Sequence, residues 1–289
     1  MVGSVERIEQ DLAAIQGAIA SLAGEFYNAY TDYLNLLGKT VRQQLILASY
    51  HVCTQGYPER FLSLSYNQRY ELQQTLRRLA YQTQEELLAQ LHPIVVPADI
   101  KASALPDSLP LSEASVNHGI AVPESAPPKA QKPPLTPMHL VQWQQDLEQA
   151  ITQELQTASH AANRLLQQAN VLPPKLPEPI LEAAAKADAA EMGGRTPNLM
   201  NLLIETTRDD SGSKEGAEES RGQVVMHIVA IHLRLTELEF SEPALNAART
   251  RIRSLQAQLK TLGRDYQKKQ RERAIAEAQL AWRASWIEE

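Results

Sequence analysis

The sequence predicts an all-α protein built on long, heptad-patterned helices, and three observations carry that prediction. Gln, Leu, Ala, Glu and Arg dominate a 289-residue chain that is 43% hydrophobic but only 5% aromatic, with 12 glycines. Such a composition favours helix over sheet. Apolar residues recur at alternating steps of three and four near both ends of the chain, which sets each group on one helical stripe. Only one stretch, 223–239, is dense enough in β-branched residues to suggest a strand, and no second convincing strand exists for it to pair with.

The first helix is expected over residues 5–50. Ile8, Leu12, Ile15, Ile19, Leu22 and Phe26 form a narrow seam, continued through Ala29, Tyr33 and Leu36. Beyond Phe26 the stripe widens with Leu34, Leu37, Val41 and Leu45. A narrow seam suits a contact with one other helix and a wide one suits a bundle interior. The first half of the helix should therefore project and the second half should be embedded. Gln55-Gly56-Tyr57-Pro58 breaks the helix. A helical turn over 58–62 follows, then a helix over 66–91 with Ser65 as its N-cap. Eight of the nine tyrosines precede residue 92, and large rings bury much area. Residues 1–91 are thus read as a tyrosine-rich helical module.

Residues 92–137 carry ten prolines and read as an extended, disordered linker. Thr136 caps the next helix, with Pro137 in its first position and an apolar stripe from Leu140 and Trp143 to Ala169. An Ala-rich helix over 178–192 and a short helix through Leu199, Leu202, Leu203 and Ile204 complete a helical segment, 138–207. Residues 208–222 are polar, charged and without a hydrophobic anchor, so they read as a disordered acidic loop.

Residues 223–289 are expected to form a helical hairpin. Val224, Ile228, Ile231, Leu235 and Leu238 step by four, three, four and three, so helix is preferred to strand there. Ser241 is placed as the cap of the final helix. That helix carries the cleanest periodicity in the chain, a packing seam of Leu245, Ile252, Leu255, Leu259, Leu262 and Tyr266 with Ala248 between them. The heptad lapses after Tyr266, where Lys269 and Arg273 take the seam positions. The first and last long helices have seams of similar length and are expected to meet, within one chain or across a dimer.

Charge and motif content narrow the function. The formal charge is −6, yet residues 249–273 hold nine basic residues against two acids, a local +7 that leaves −13 for the remainder. Either a binding surface or an internal match to acidic segments produces such asymmetry. Cys53 is the only cysteine, and the start of the chain lacks the apolar core of a secretory signal. A cytoplasmic protein is expected. There is no Gly-rich phosphate loop, GxSxG, HExxH or CxxC. His51 and Cys53, two apart, and His227 and His232, five apart, have neither catalytic nor metal-ligand spacing on a helix. No catalytic residue, metal ligand or cofactor is assigned, and the chain is expected not to be an enzyme. The expected function is a non-catalytic scaffold assembled through coiled-coil helices, with a protein partner or self-association. The alternative is a peripheral binder of nucleic acid or an anionic membrane surface. Its candidate interaction surface is Arg264, Lys268, Lys269, Arg271, Arg273, Trp282 and Trp286. Cations spread around the helix, and Glu288 and Glu289 at its end, weigh against that alternative.

Two stretches resemble an uncharacterised family of cyanobacterial helical, coiled-coil proteins. They are YHVCTQGYPERFLSLSYNQRYELQQTLRRLA, residues 50–80, and LGRDYQKKQRERAIAEAQLAWRASW, residues 262–286, about a fifth of the chain. The resemblance implies a bacterial cytosolic setting and no activity or site residues.

Overall fold

The computed structural model describes residues 2–94, 134–173, 197–207 and 223–286. Their fold is all-α with one small two-stranded ribbon. Helix α1 spans Val2–His51, runs into a single π-helical turn over Val52–Gly56, and is followed by α2 (Pro58–Ser63) and α3 (Tyr66–Ala89). Helix α4 covers Pro137–Gln168. Strands β1 (Leu199–Thr207) and β2 (Gln223–Ile231) come next, then a short helix α5 (Leu235–Ser241) and the long α6 (Pro243–Ser285). Among the described residues no helix is long and apolar enough to cross a membrane.

Two of the three predicted caps, Ser65 and Thr136, close the helices they were assigned to. Ser65 accepts from the Gln68 N–H while the Gln68 side chain accepts from the Ser65 N–H, a reciprocal capping box. Thr136 and His139 form the same arrangement at α4, with Pro137 at the first helical position, where its missing N–H costs nothing. The final helix departs from expectation. Its N-cap is Glu242 with no side-chain cap, because the Ser241 hydroxyl donates back to the Leu238 carbonyl and so closes α5 instead.

The first and last helices pair within the chain, and they do so antiparallel. Lys269 of α6 reaches Asp11 of α1 at 3.0 Å, and Arg251 reaches Asp32 at 3.6 Å, so rising numbers on one helix meet falling numbers on the other. Leu12, Ile19, Leu22 and Phe26 are buried on the α1 side. Leu245, Ile252, Leu255, Leu259 and Tyr266 are buried on the α6 side, with Leu262 and Ala248 partly buried beside them. Along the outer half of α1 only this one stripe is covered. From Ala29 onward the buried set widens to Tyr30, Tyr33, Leu34, Leu37, Val41 and Leu45. The molecule is therefore a thin two-helix arm growing out of a thicker base, in which α1 also meets α3, α4 and α5. Gly38 sits at the α1–α3 approach, where a Cβ would lie 2.8 Å from Gln84 Cγ.

Residues 223–231 and 199–207 correct the sequence reading. Neither is helical. They pair antiparallel, from Leu199 opposite Ile231 to Thr207 opposite Gln223. The β-branched density of 223–231 prevails because its partner strand does exist, in the leucine-rich segment read as a short helix. Helix resumes only at Leu235, so the C-terminal hairpin is α5 and α6.

The ribbon is held at its base by side chains acting as substitute strand edges. Asn163 of α4 donates to the Ile231 carbonyl and accepts from the Ile231 N–H, both at 2.9 Å, as a neighbouring strand would. The Ser159 hydroxyl accepts from Leu233 N–H and the Tyr57 hydroxyl from Val229 N–H. Fully buried Asn198 takes a left-handed φ of 61°, a conformation Asn tolerates. It accepts from the N–H groups of His232 and Arg234, donates its amide to Gln44 and its N–H to Glu237. Of the remaining expectations, the Ala-rich helix at 178–192, the acidic loop and, of the linker expected over 92–137, residues 95–133 lie outside the described residues.

Candidate functional site: the basic, Trp-ended helix

The ten cations of α6 divide by what they touch. Arg249 is the most enclosed. Its guanidinium makes a two-pronged bond to the Glu148 carboxylate of α4, its Nε sits 3.1 Å from Glu239 of α5, and it lies 5.4 Å over the Tyr33 ring. Tyr30 donates to Glu148 at 2.7 Å and Tyr33 to Glu239 at 2.6 Å. Burial, with the adjoining carboxylates, pushes both phenols far up, so they stay protonated donors. Burial alone would lower the Arg249 pKa, but the bonds to Glu148 and the surrounding negative charge more than offset it and hold the cation. This cluster ties α1, α4, α5 and α6 together at the root of the arm.

Lys269 and Arg273 are the two seam-position cations of the predicted surface. Lys269 bridges Asp11 and Glu272, each at 3.0 Å, and its pKa is raised by the bonds to Glu272 and Asp11. Arg273 pairs with Glu277 at 3.3 Å along its own helix. Arg251 meets Asp32. These cations are engaged in holding the helix pair and its flanks.

The other members of the predicted surface lie on the opposite side. At 3.6 residues per turn, Arg264, Lys268 and Arg271 project away from the Leu259–Tyr266 seam, and Arg253 and Lys260 extend the same line toward the base. All five are exposed, and none makes an ion pair with another described residue. They form one stripe about 27 Å long at 1.5 Å per residue. In the sequence the cations surround the whole helix, whereas in the fold those on the flanks are absorbed by internal pairing. Arg253 and Lys260 were missed for the same reason.

The stripe leads into apolar side chains on the same face. Ile275 is 50% exposed, Trp282 66% and Trp286 67%, and the two indoles lie 5.7 Å apart in a tilted pair. The register of α6 against α1 carries residues 282–286 past the start of α1, and every one of them is exposed. The third tryptophan differs. Trp143 packs edge-on against Tyr30 and donates to the His92 carbonyl at 2.9 Å, which makes it a structural residue of the base.

Elsewhere among the described residues, a cleft of about 470 Å³ is lined by His92, His139, Trp143 and Asp146. A cleft of about 280 Å³ opens between α1 and α3, lined by Ile46, Tyr50, Phe61, Leu72 and Leu76, with Cys53 at its floor. Burial pushes the Cys53 thiol up to about 11, away from the thiolate a nucleophile needs. His51 Nδ1 is buried with no hydrogen-bond partner among the described residues, His227 is exposed, and burial lowers the pKa of His232. Among the described residues no group of three or more His, Cys, Asp or Glu side chains could hold a metal.

The fold and this surface define an all-α protein with a two-helix arm that is basic on one face. Comparison with family models, curated proteins and solved structures finds no match to the chain.

Proposed function

We propose that the chain is a non-catalytic interaction protein, a cytosolic scaffold or adaptor built on coiled-coil helix pairing. The observation that carries this reading is the antiparallel match of the α1 and α6 seams inside one chain. Each seam satisfies the other, so the arm is a preformed rod whose outer faces are available to a partner at fixed spacing. The polar cluster around Arg249 anchors that rod to the base. The test is recovery of the full-length protein from its native cells under mild conditions, with light scattering on the pure protein. The reading expects a protein partner, or self-assembly, in fixed stoichiometry. That assembly should be lost when exposed arm residues become Glu with no change in melting temperature. A monomer that brings no component down in fixed ratio contradicts it.

A second reading, peripheral binding to a polyanion through α6, is favoured by one observation. Five cations of α6 that make no ion pair among the described residues fall on a single face. Scattered cations would suit solubility alone; one aligned, acid-free stripe suits a charged partner.

A further inference from the structure

We propose that the outer face of α6 docks on an anionic lipid bilayer, with Ile275, Trp282 and Trp286 seated at headgroup level and the Arg253–Arg271 stripe on lipid phosphates. The inference rests on the polyanion reading and names its partner.

Three features select a bilayer over nucleic acid. The first is segregation. The stripe from Arg253 to Arg271 carries no aromatic or large apolar residue, and those of this face all lie beyond it, at 275–286. Single-stranded nucleic acid is held by aromatics interleaved with cations, so that successive bases stack beside their phosphates. An interfacial helix needs only that both kinds share one side. The second is the state of the indoles. Trp282 and Trp286 lie side by side as a tilted pair, 5.7 Å between ring centroids, and make a single exposed apolar patch with an indole N–H on either ring. That is the amphipathic form suited to the membrane–water boundary. Ile275, half exposed and in line with them, has no use in base stacking and adds buried area in lipid.

The third feature is the placement of negative charge. Outer α1 carries Glu6, Glu9, Asp11, Glu25 and Asp32 against one base, Arg7. The α1–α6 pairing sets those acids on the other helix of the arm, where Asp11 and Asp32 hold Lys269 and Arg251. A bilayer lying along α6 therefore meets cations first and has the acidic helix behind them. The same pairing explains why the helix tip is bare. With residues 282–286 beyond the start of α1, no described residue of α1 lies level with Trp282 or Trp286.

The experiment is co-flotation of the full-length protein with vesicles of phosphatidylcholine and phosphatidylglycerol in equal amounts, against vesicles of phosphatidylcholine alone. Single-stranded and duplex oligonucleotides are tested at the same low salt. Binding to the mixed vesicles is expected, weakening as salt rises, with a blue shift of indole emission that disappears in Trp282→Ala/Trp286→Ala. A matched pair of double variants separates the face from the overall charge. Arg264→Gln/Lys268→Gln should weaken binding about 25-fold, at roughly fivefold per cation removed near an anionic surface. Lys269→Gln/Arg273→Gln removes the same charge from engaged positions and should change binding by less than about threefold on the same scale. Equal losses in the two variants would overturn the assignment to the outer face. Binding to an oligonucleotide but not to vesicles would overturn the lipid proposal and leave the polyanion reading standing. Binding to neither would overturn both.

Discussion

The arm and the base of this molecule are stabilised by different means, though the same two helices run through both. In the outer arm one apolar stripe of α1 meets one of α6, and the polar contacts are surface ion pairs such as Lys269–Asp11. In the base, α1 is covered on a wider arc and the decisive contacts are hydrogen bonds between residues far apart in sequence. Asn163 bonds Ile231, Asn198 joins α1 to α5, and Arg249 joins α4 to α5. Exposed ion pairs contribute little, whereas a buried polar group deprived of its partner is expensive. The base should therefore fail through single polar substitutions that the arm would tolerate.

Asn163→Ala should show the contrast most strongly. It removes both partners of the buried Ile231 backbone and should cost about 3 kcal/mol in denaturant unfolding. Arg249→Ala leaves Glu148 and Glu239 facing each other at the root of the arm. Their side chains keep 23% and 12% exposure, so water softens the penalty to about 2–3 kcal/mol, below that of a fully buried pair. In the arm, Asp11→Ala removes an exposed pair and should cost less than about 1 kcal/mol by the same measurement.

Glycine substitution sharpens the comparison in the opposite direction. Gly17 and Gly24 lie in the arm with open space where a Cβ would stand. Gly17→Ala should raise stability by about 0.5–1 kcal/mol through helix propensity. Gly38→Ala, in the base, meets Gln84 and should lose that gain, a difference visible in parallel thermal melts.

The smallest effect depends on pH. Glu154 of α4 lies against Glu86 of α3. Burial first, and then that neighbouring carboxyl, push its pKa up to about 7, and its Oε1 is buried with no hydrogen-bond donor among the described residues. A raised acid keeps its proton in the fold while the unfolded chain loses it. Its contribution is thus intact below the ordinary Glu range and is lost as pH climbs toward 7. Glu154→Gln should match the native protein near pH 4 and melt slightly higher near pH 8.

The arm was legible in the sequence because its information is local. A three-four alternation identifies the seams of α1 and α6, and Ser65 and Thr136 announce helix starts within four residues. The base was less so. The ribbon was missed because residues 223–231 look like a strand only when 199–207 is recognised as its partner. The signals that fix them, Asn163, Ser159 and Tyr57, lie 68, 74 and 172 residues from the strand groups they bond. The candidate surface fell between these cases. Its residues were nameable from charge and Trp spacing, but its division into paired and unpaired cations depends on Asp11 of α1 together with Glu272 and Glu277 of the same helix.

The central claim, that α1 and α6 pair antiparallel within one chain, is tested most directly by distance measurement between spin labels. With Cys53 replaced by Ser, labels at exposed Gln10 and Gln270 should give a short distance. Labels at Gln10 and Asn246, 24 residues further along α6, should lie about 36 Å apart or more at 1.5 Å per residue. Both distances should persist when labelled protein is diluted into excess unlabelled protein. The reverse order of distances, or a short distance that vanishes on that dilution, would contradict the account.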